Sequence, residues 1–364
     1  MSSNIESYDL IIVGAGLSGL AAAGAAEKLG KSVCIIEASD DVGGRVKSVK
    51  KEGFILDKGF QVYLSAYPTA SKLLDHSSLY LSHFDSGASI LNSSKTMLTL
   101  AHPFKHPNYI AKSLKSKLFN LKDILALSKL FMYLNYNSTQ HLFNSPDISS
   151  ADFLEKTFSK KLNHHFFKPF FKGVFLDPLL KTSSRLLLYY LKMFINGSTC
   201  LPKDGMQAIP AQLKNNLKTS TLYTKSPVKH IHNNHIQLLS GKQLRANTIL
   251  LAMPKAQISV FFYQADTTYH GVWTSYFATK KKLKPNHKLL RLNGSKKGII
   301  NQVCILDHIQ PTYAPHNQSL ISVTVLESFK QLSKAKLVES IKLELPYYIN
   351  TQCFEHLESF WIQQ

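Results

Sequence analysis

Acidic residues are scarce in this sequence: 23 Asp and Glu stand against 43 Lys and Arg, a formal net charge of +20 over 364 residues. That imbalance makes a surface that attracts anions, such as nucleic acid, acidic lipid or a phosphorylated cofactor. The lysines are scattered along the chain, with no aromatic-and-basic RNA-binding signature and no basic recognition helix, so no nucleic-acid partner is expected. A general lysine bias is the first account of the charge, and peripheral contact with an anionic membrane is the second. Cysteine is also rare. Cys34, Cys200, Cys304 and Cys353 lie far apart with no C-x-x-C pair, which argues against a cysteine zinc site or a disulfide framework. This usage fits a reducing compartment, the cytoplasm. No metal site is expected elsewhere: His164 and His165 have no ligand partners at helical spacing.

Long apolar runs are missing as well. The most apolar stretch, 10–26, is short of the roughly 20 residues that a span requires. Glycines break it, Glu27-Lys28 ends it, and Glu6 and Asp9 lead in where a signal peptide would be basic. There is no internal repeat and no low-complexity segment. With 44% hydrophobic and 18% charged residues, the chain is an ordinary globular one with room for two domains.

What is present is concentrated near the N-terminus. Residues 9–37 read as a strand, a Gly14-x-Gly16-x-x-Gly19 turn, a helix over 17–29 and a second strand ending at Glu37. Each part has a physical purpose in holding an adenine dinucleotide. Gly14 turns the chain tightly out of the strand, Gly16 lets backbone N–H groups approach a pyrophosphate, and Gly19 lets the helix pack closely on the strand. The helix N-terminus is the positive end of its dipole. Glu37, 18 residues beyond Gly19, stands where a carboxylate can accept hydrogen bonds from ribose hydroxyls.

Beyond this unit, 46–56 reads as a hairpin around Lys51-Glu52-Gly53, and Pro68 starts a helix. From 76 to 200 the pattern is mainly helical. Ile110, Leu114, Leu118, Leu121, Ile124 or Leu125, Phe131 and Leu134 recur at helical spacing, with Lys112, Lys115, Lys122 and Lys129 between them. The stripe reads as core beneath a solvated lysine face, and a helix lying on a membrane surface is the competing reading. The aromatic run 166–175 reads as core that could also line an apolar cavity. Strands follow over 223–232, 235–239, 248–252, 271–279 and 319–326. The end of the chain, 338–343 and 354–362, reads as helical.

The chain resembles the flavin-dependent amine oxidase, protoporphyrinogen oxidase and phytoene desaturase family. The resemblance rests on the turn at 14–19, Glu37, and Gly43-Gly44-Arg45 six residues later, a combination typical of FAD binding in that group and untypical of plain NAD dehydrogenases. It implies that Leu17 and Ser18 offer backbone N–H groups to the pyrophosphate. Glu37 and Ala38 would then border the ribose, and Arg45 would reach a phosphate. Gly59, Phe60 and Gln61 would border the isoalloxazine ring, and Val228 would meet the adenine through its backbone. The implied fold is α/β: a doubly wound, Rossmann-like FAD-binding domain (1–75 and 201–260) with an inserted α+β substrate domain (76–200 and 261–350) and a C-terminal helix (351–364). Two departures stand out. Strand 271–279 lacks the lysine that many amine oxidases place near the flavin, which turns the expectation from amines to a small apolar substrate such as an isoprenoid or a tetrapyrrole. The family's late Gly-Asp segment, which closes the cofactor site, is not found between 252 and 364, so the chain reads as stopping short of it. The expectation is therefore an FAD-dependent oxidoreductase. The alternatives are a truncated, non-catalytic dinucleotide-binding module and, third, an NAD(P)-only dehydrogenase.

Overall fold

The computed structural model describes residues 5–101, 106–262, 269–284, 287–295 and 297–363. The chain divides into two compact units. The first comprises Met1–Ser48, Thr69–Leu79 and Asp204–Thr268; the second comprises Val49–Pro68, Tyr80–Lys203 and Tyr269–Gln364.

The first unit is built on strand β1 (Glu6–Val13), helix α1 (Leu17–Lys28) and strand β2 (Val33–Ile36). Ile11, Ile12 and Val13, like all four residues of β2, are buried, as in strands covered on both faces. β1 runs parallel to β2, with Leu10 opposite Val33 and Val13 opposite Ile36. On its other side it pairs in parallel with Gln243–Leu251, Val13 facing Leu251. Thr221–Tyr223 adds a parallel strand outside β2, and the antiparallel strands His235–Leu238 and Val228–His232 complete a six-stranded sheet. The strand expected to begin at 248 begins at Gln243, because Leu244 and Ala246 already alternate into the core.

Glu27 near the end of α1 ties the helix to the loop that feeds Thr221–Tyr223. Its carboxylate accepts the N–H groups of Lys218 (3.0 Å), Thr219 (2.8 Å) and Ser220 (2.6 Å). Burial alone would raise its pKa, but these donors outweigh it and hold the group at about 2, below its ordinary 4.5. A folded-state pKa depressed in this way contributes stability that is complete above pH 4.5 and is lost as the pH falls towards 2. Thermal melts of the wild type and Glu27→Gln should therefore differ at pH 7 and converge as the pH is lowered through that window. A constant difference across the window would refute the assignment.

The second unit contains a seven-stranded sheet in the order Glu355–Gln363, Gly271–Thr279, Ser319–Leu326, Gln302–Ile305, Leu290–Asn293, Gly87–Leu91, Met97–Ala101. Every neighbouring pair is antiparallel except Leu290–Asn293 with Gly87–Leu91. One face carries Val303, Ile305, Ile321, Val323 and Val325 against Leu337, Ile341, Leu345, Tyr348 and Ile349 of the helices Lys334–Glu344 and Pro346–Ile349.

Two expectations are corrected here. The C-terminal segment read as a helix is the strand Glu355–Gln363 at the sheet edge, paired along Gly271–Thr279 from Gly271 opposite Gln363 to Ala278 opposite Glu355. Phe354, Leu357 and Trp361 fit helical spacing by coincidence. The β-favouring run Phe360-Trp361-Ile362 and a long partner strand decide otherwise. The lysine-bearing stripe is also not a core face. It forms two helices, Ile110–Lys115 and Leu121–Tyr136, and Leu118 and Leu134 are buried while Ile110, Leu121, Ile124, Leu125 and Phe131 are exposed. The side chain of Leu114 lies outside the described residues. The rotation has a cause. Asp123 is fully buried, accepting from the Ser159 N–H and hydroxyl (both 2.7 Å) and completing a capping box with Asn120. With Asp123 turned inward, the packed face is Leu130, Tyr133 and Leu134, and the neighbouring apolar residues point out.

Candidate functional site

The glycine turn closes the end of β1 as the sequence requires. Gly14 has φ +108°, and a Cβ there would lie 2.5 Å from the Ala252 carbonyl oxygen. A Cβ on Gly19 would lie 2.0 Å from the Gly14 oxygen, so α1 sits against the turn at a distance only glycine permits. Gly16 is different. Its φ is −73°, and the nearest atom to a Cβ there would be Gly44 Cα at 4.0 Å. Packing within the protein therefore does not require glycine at 16, and the position is open to close approach. Among the described residues no side chain caps α1, and no acidic residue stands in its first turn, which leaves the Leu17 and Ser18 end of the helix suited to an anion.

Glu37 follows β2 directly. Its Oε2 accepts the Ala15 N–H (2.8 Å), and its Oε1 accepts the Ser39 N–H (2.8 Å) and hydroxyl (2.7 Å). The residue expected to meet a ribose thus also fastens the end of β2 to the glycine turn, and its remaining lone pairs keep it a competent acceptor. Ala38 is exposed beside it. Gly43 and Gly44, at φ +121° and +59°, carry the next loop back alongside Gly16. Gly43 forms a parallel bridge to Gly16 and donates its N–H to the Ala15 oxygen at 2.8 Å. Arg45 follows on the exposed edge of this loop. Val228 opens its strand two residues after Ser226, whose N–H donates to the Glu37 carbonyl (2.9 Å). The structure therefore brings the turn, Glu37 and Gly43–Gly44 together, with Val228 linked to them through Ser226.

Gly59, Phe60 and Gln61 belong to the second unit, in a setting of their own. They follow the fully buried strand Phe54–Asp57. Gly59 has φ +102°, Phe60 donates its N–H to Thr274 Oγ1 (3.2 Å), and Gln61 Nε2 donates to the Lys58 carbonyl (3.3 Å). Sequence reasoning missed the residues that fix this segment. Tyr313 donates its hydroxyl to Asp57 Oδ2 (2.8 Å), and Tyr276 donates to the Asp57 carbonyl (2.7 Å). Burial, with the Asp57 charge beside it, pushes each phenol well above its ordinary pKa, so both remain donors. One signal was available: Asp57 is a carboxylate closing the otherwise apolar run Phe54-Ile55-Leu56.

The sequence pattern of the flavin-containing amine oxidoreductases matches residues 17–356. The chain belongs to that family. Members carry a flavin, and the turn fits its dinucleotide form, FAD: Gly16 is open to close approach, α1 is uncapped, and an acceptor stands at 37. Among curated proteins, the 4,4'-diapophytoene desaturase (4,4'-diaponeurosporene-forming) of Staphylococcus haemolyticus is 30% identical over 158 residues, 42% of this chain and 28% of the desaturase. The coproporphyrinogen III oxidase of Bacillus subtilis is 26% identical over 188 residues, 48% of this chain and 38% of the oxidase. The chain thus spans well under half the length of these relatives. Among solved structures, a putative protoporphyrinogen oxidase from Exiguobacterium sp. 255-15 matches the whole chain and 86% of its own, with a TM-score of 0.71 at 17% identity. That likeness places this family member in the Rossmann-like flavoprotein fold expected from its sequence.

Proposed function

We propose that this chain, with FAD bound, removes a hydride from a C–H bond of an apolar organic substrate, as a desaturase or a protoporphyrinogen oxidase would. The observation that carries the reading is a wall of half-buried rings in the second unit. Tyr67 packs on Tyr189 and Tyr190 (both 6.4 Å between centroids), Phe175 on Tyr190 (5.7 Å), and Phe170 on Phe166 (5.7 Å) and Phe194 (5.4 Å). Phe167 and Phe171, from the same aromatic run, are buried core. Part of that run is therefore packing, and part presents apolar ring surface that matches an isoprenoid or tetrapyrrole better than a charged amine. The strand Gly271–Thr279 supports the same direction, with Thr274 and no lysine beside Phe60.

Bound FAD supplies a two-electron acceptor, the chemistry the side chains lack. The protein's part is positional. Tyr276 and Tyr313 hold Asp57 and so the loop through Gly59–Gln61, while Glu37 and Gly43 hold the glycine turn. No catalytic acid or base is assigned.

Purified protein is expected to show oxidised-flavin bands near ~370 and ~450 nm that bleach anaerobically with an isoprenoid or porphyrinogen and not with primary amines. Bleaching by amines alone would reject the substrate class. Protein that stays colourless with added FAD would reject the enzyme itself.

We also propose that the exposed face of the helix Leu121–Tyr136 rests on an anionic membrane surface. Leu121 (73% exposed), Leu125 (56%), Met132 (51%) and Tyr136 (88%) lie along it, with Lys122 and Lys129 alongside. Among the described residues, no helix is long and apolar enough to cross a membrane.

A further inference from the structure

Arg291 stands in the middle of the seven-stranded sheet and is only 4% exposed. Burial lowers its pKa to about 10, which leaves the guanidinium charged at neutral pH. Buried cations are ordinarily paired with a carboxylate, because an unpaired one costs several kcal/mol. Among the described residues, Nη1 has no acceptor, and Nη2 meets the His287 ring nitrogen Nε2 at 3.4 Å.

That contact fixes the histidine's state. A guanidinium can only donate, so His287 Nε2 accepts and the ring proton sits on Nδ1. Burial, followed by the charges of Arg291 and His308, pushes the His287 pKa down to about 4, consistent with a neutral ring. His287 Nδ1–H is itself buried and, among the described residues, has no acceptor. Among the described residues, Arg291 Nη1 and His287 Nδ1 therefore leave two buried N–H donors, one of them on a charged group, without acceptors on neighbouring side chains.

The surrounding acids are engaged elsewhere. Asp85, which acts on His287, accepts the Lys288 N–H (3.2 Å) and the Tyr109 hydroxyl (3.4 Å). Asp307 accepts the Leu320 N–H and the Ser319 hydroxyl, both at 3.0 Å. His308 donates Nε2–H to the Leu283 carbonyl (3.0 Å), so it offers no further proton while neutral.

We infer that Arg291 and His287 form a binding site for an oxyanion group, a carboxylate or a phosphate, separate from the flavin-facing segment. The separation follows from strand register. Thr274, which meets Phe60, lies opposite Thr324, Thr324 opposite Gln302, and Gln302 opposite Leu292. Residues directly opposite share a face and adjacent residues alternate, so Arg291 occupies the other face of the sheet.

The test uses the flavin-loaded protein. Acetate and inorganic phosphate are titrated separately at constant ionic strength against chloride, with the melting temperature as readout. A saturable rise with at least one of them is expected, and the one that acts identifies the group. Arg291→Met should abolish the response while melting no lower than the wild type in chloride, since replacing an unpaired buried charge by an apolar chain of similar shape is neutral or stabilising. His287→Phe, which removes one donor, should raise the half-saturating concentration about tenfold. A flat wild-type response to both anions would overturn the assignment, as would a response that survives unchanged in both variants.

Discussion

Replacing Gly16 by alanine is expected to strip this protein of flavin without loosening its fold, whereas Gly19→Ala should do both. The two glycines are three residues apart and look interchangeable as letters in a motif. At 16 the backbone has φ −73°, a conformation alanine adopts freely, and the nearest heavy atom to the new Cβ is 4.0 Å away. The apoprotein should melt at or slightly above the wild-type temperature, because Gly→Ala at a compatible site reduces unfolded-state entropy by about 0.4–1 kcal/mol. The methyl group would instead stand where a pyrophosphate must approach the backbone, and a loss of about a hundredfold in FAD affinity, ~2.7 kcal/mol, is expected. At 19 the Cβ would lie 2.0 Å from the Gly14 oxygen and 3.3 Å from Ile12 Cγ2. Ile12 is fully buried and the Gly14 oxygen is backbone, so neither can give way and α1 must lift from β1, at a cost of about 1–3 kcal/mol or more. Flavin content after purification and the melting temperature of each apoprotein check the pair. A Gly16→Ala protein that retains its full flavin complement would show that the turn is not where the pyrophosphate lies.

The contrast between these glycines marks how far the sequence could be read. The βαβ unit was legible because its requirements are local. Apolar residues at 10–13 and 33–36, the glycine spacing and Glu37 each have one physical reason, and all the reasons agree. The loop at 43–45 was legible for the same reason, since Gly43 and Gly44 occupy positive-φ positions. The seven-stranded sheet was only partly legible. Its central strands 271–279 and 319–326 are long and β-rich, but Leu290–Asn293 and Gln302–Ile305 are four residues each and gain their partners from across the chain. The same holds for the supports of the loop through Gly59–Gln61. Tyr276 and Tyr313 reach Asp57 from more than 200 residues away, and no local pattern joins them. The final strand was misread because its apolar residues satisfy two periods, and the β-favouring run Phe360-Trp361-Ile362 together with the long partner Gly271–Thr279 decides between them.

The other large effect is expected at the helix Leu121–Tyr136, where periodicity alone pointed the wrong way. An apolar stripe with interleaved lysines is ordinarily a core face under a solvated one, but the buried Asp123 reverses this helix and leaves Leu121, Leu125 and Met132 in solvent. Three large apolar side chains along one helical edge are costly to leave in water. Lysines 122 and 129 flank them, and the whole chain is at +20. That combination matches an interface with both an apolar interior and negative headgroups. Wild-type protein should therefore sediment with vesicles containing phosphatidylserine, bind far less to pure phosphatidylcholine, and be released by salt. Replacing Leu121, Leu125 and Met132 together by serine removes about 1 kcal/mol of burial each, so partitioning should fall by roughly a hundredfold. Because these side chains are already exposed, the triple variant should keep the wild-type melting temperature and flavin spectrum. Lys122→Glu with Lys129→Glu should abolish the preference for anionic lipid while leaving any residual apolar binding. Equal sedimentation of wild type and triple variant would rule this helix out as the contact. Failure of the wild type to bind anionic vesicles would rule out the membrane as the partner and return the charge to a general lysine bias.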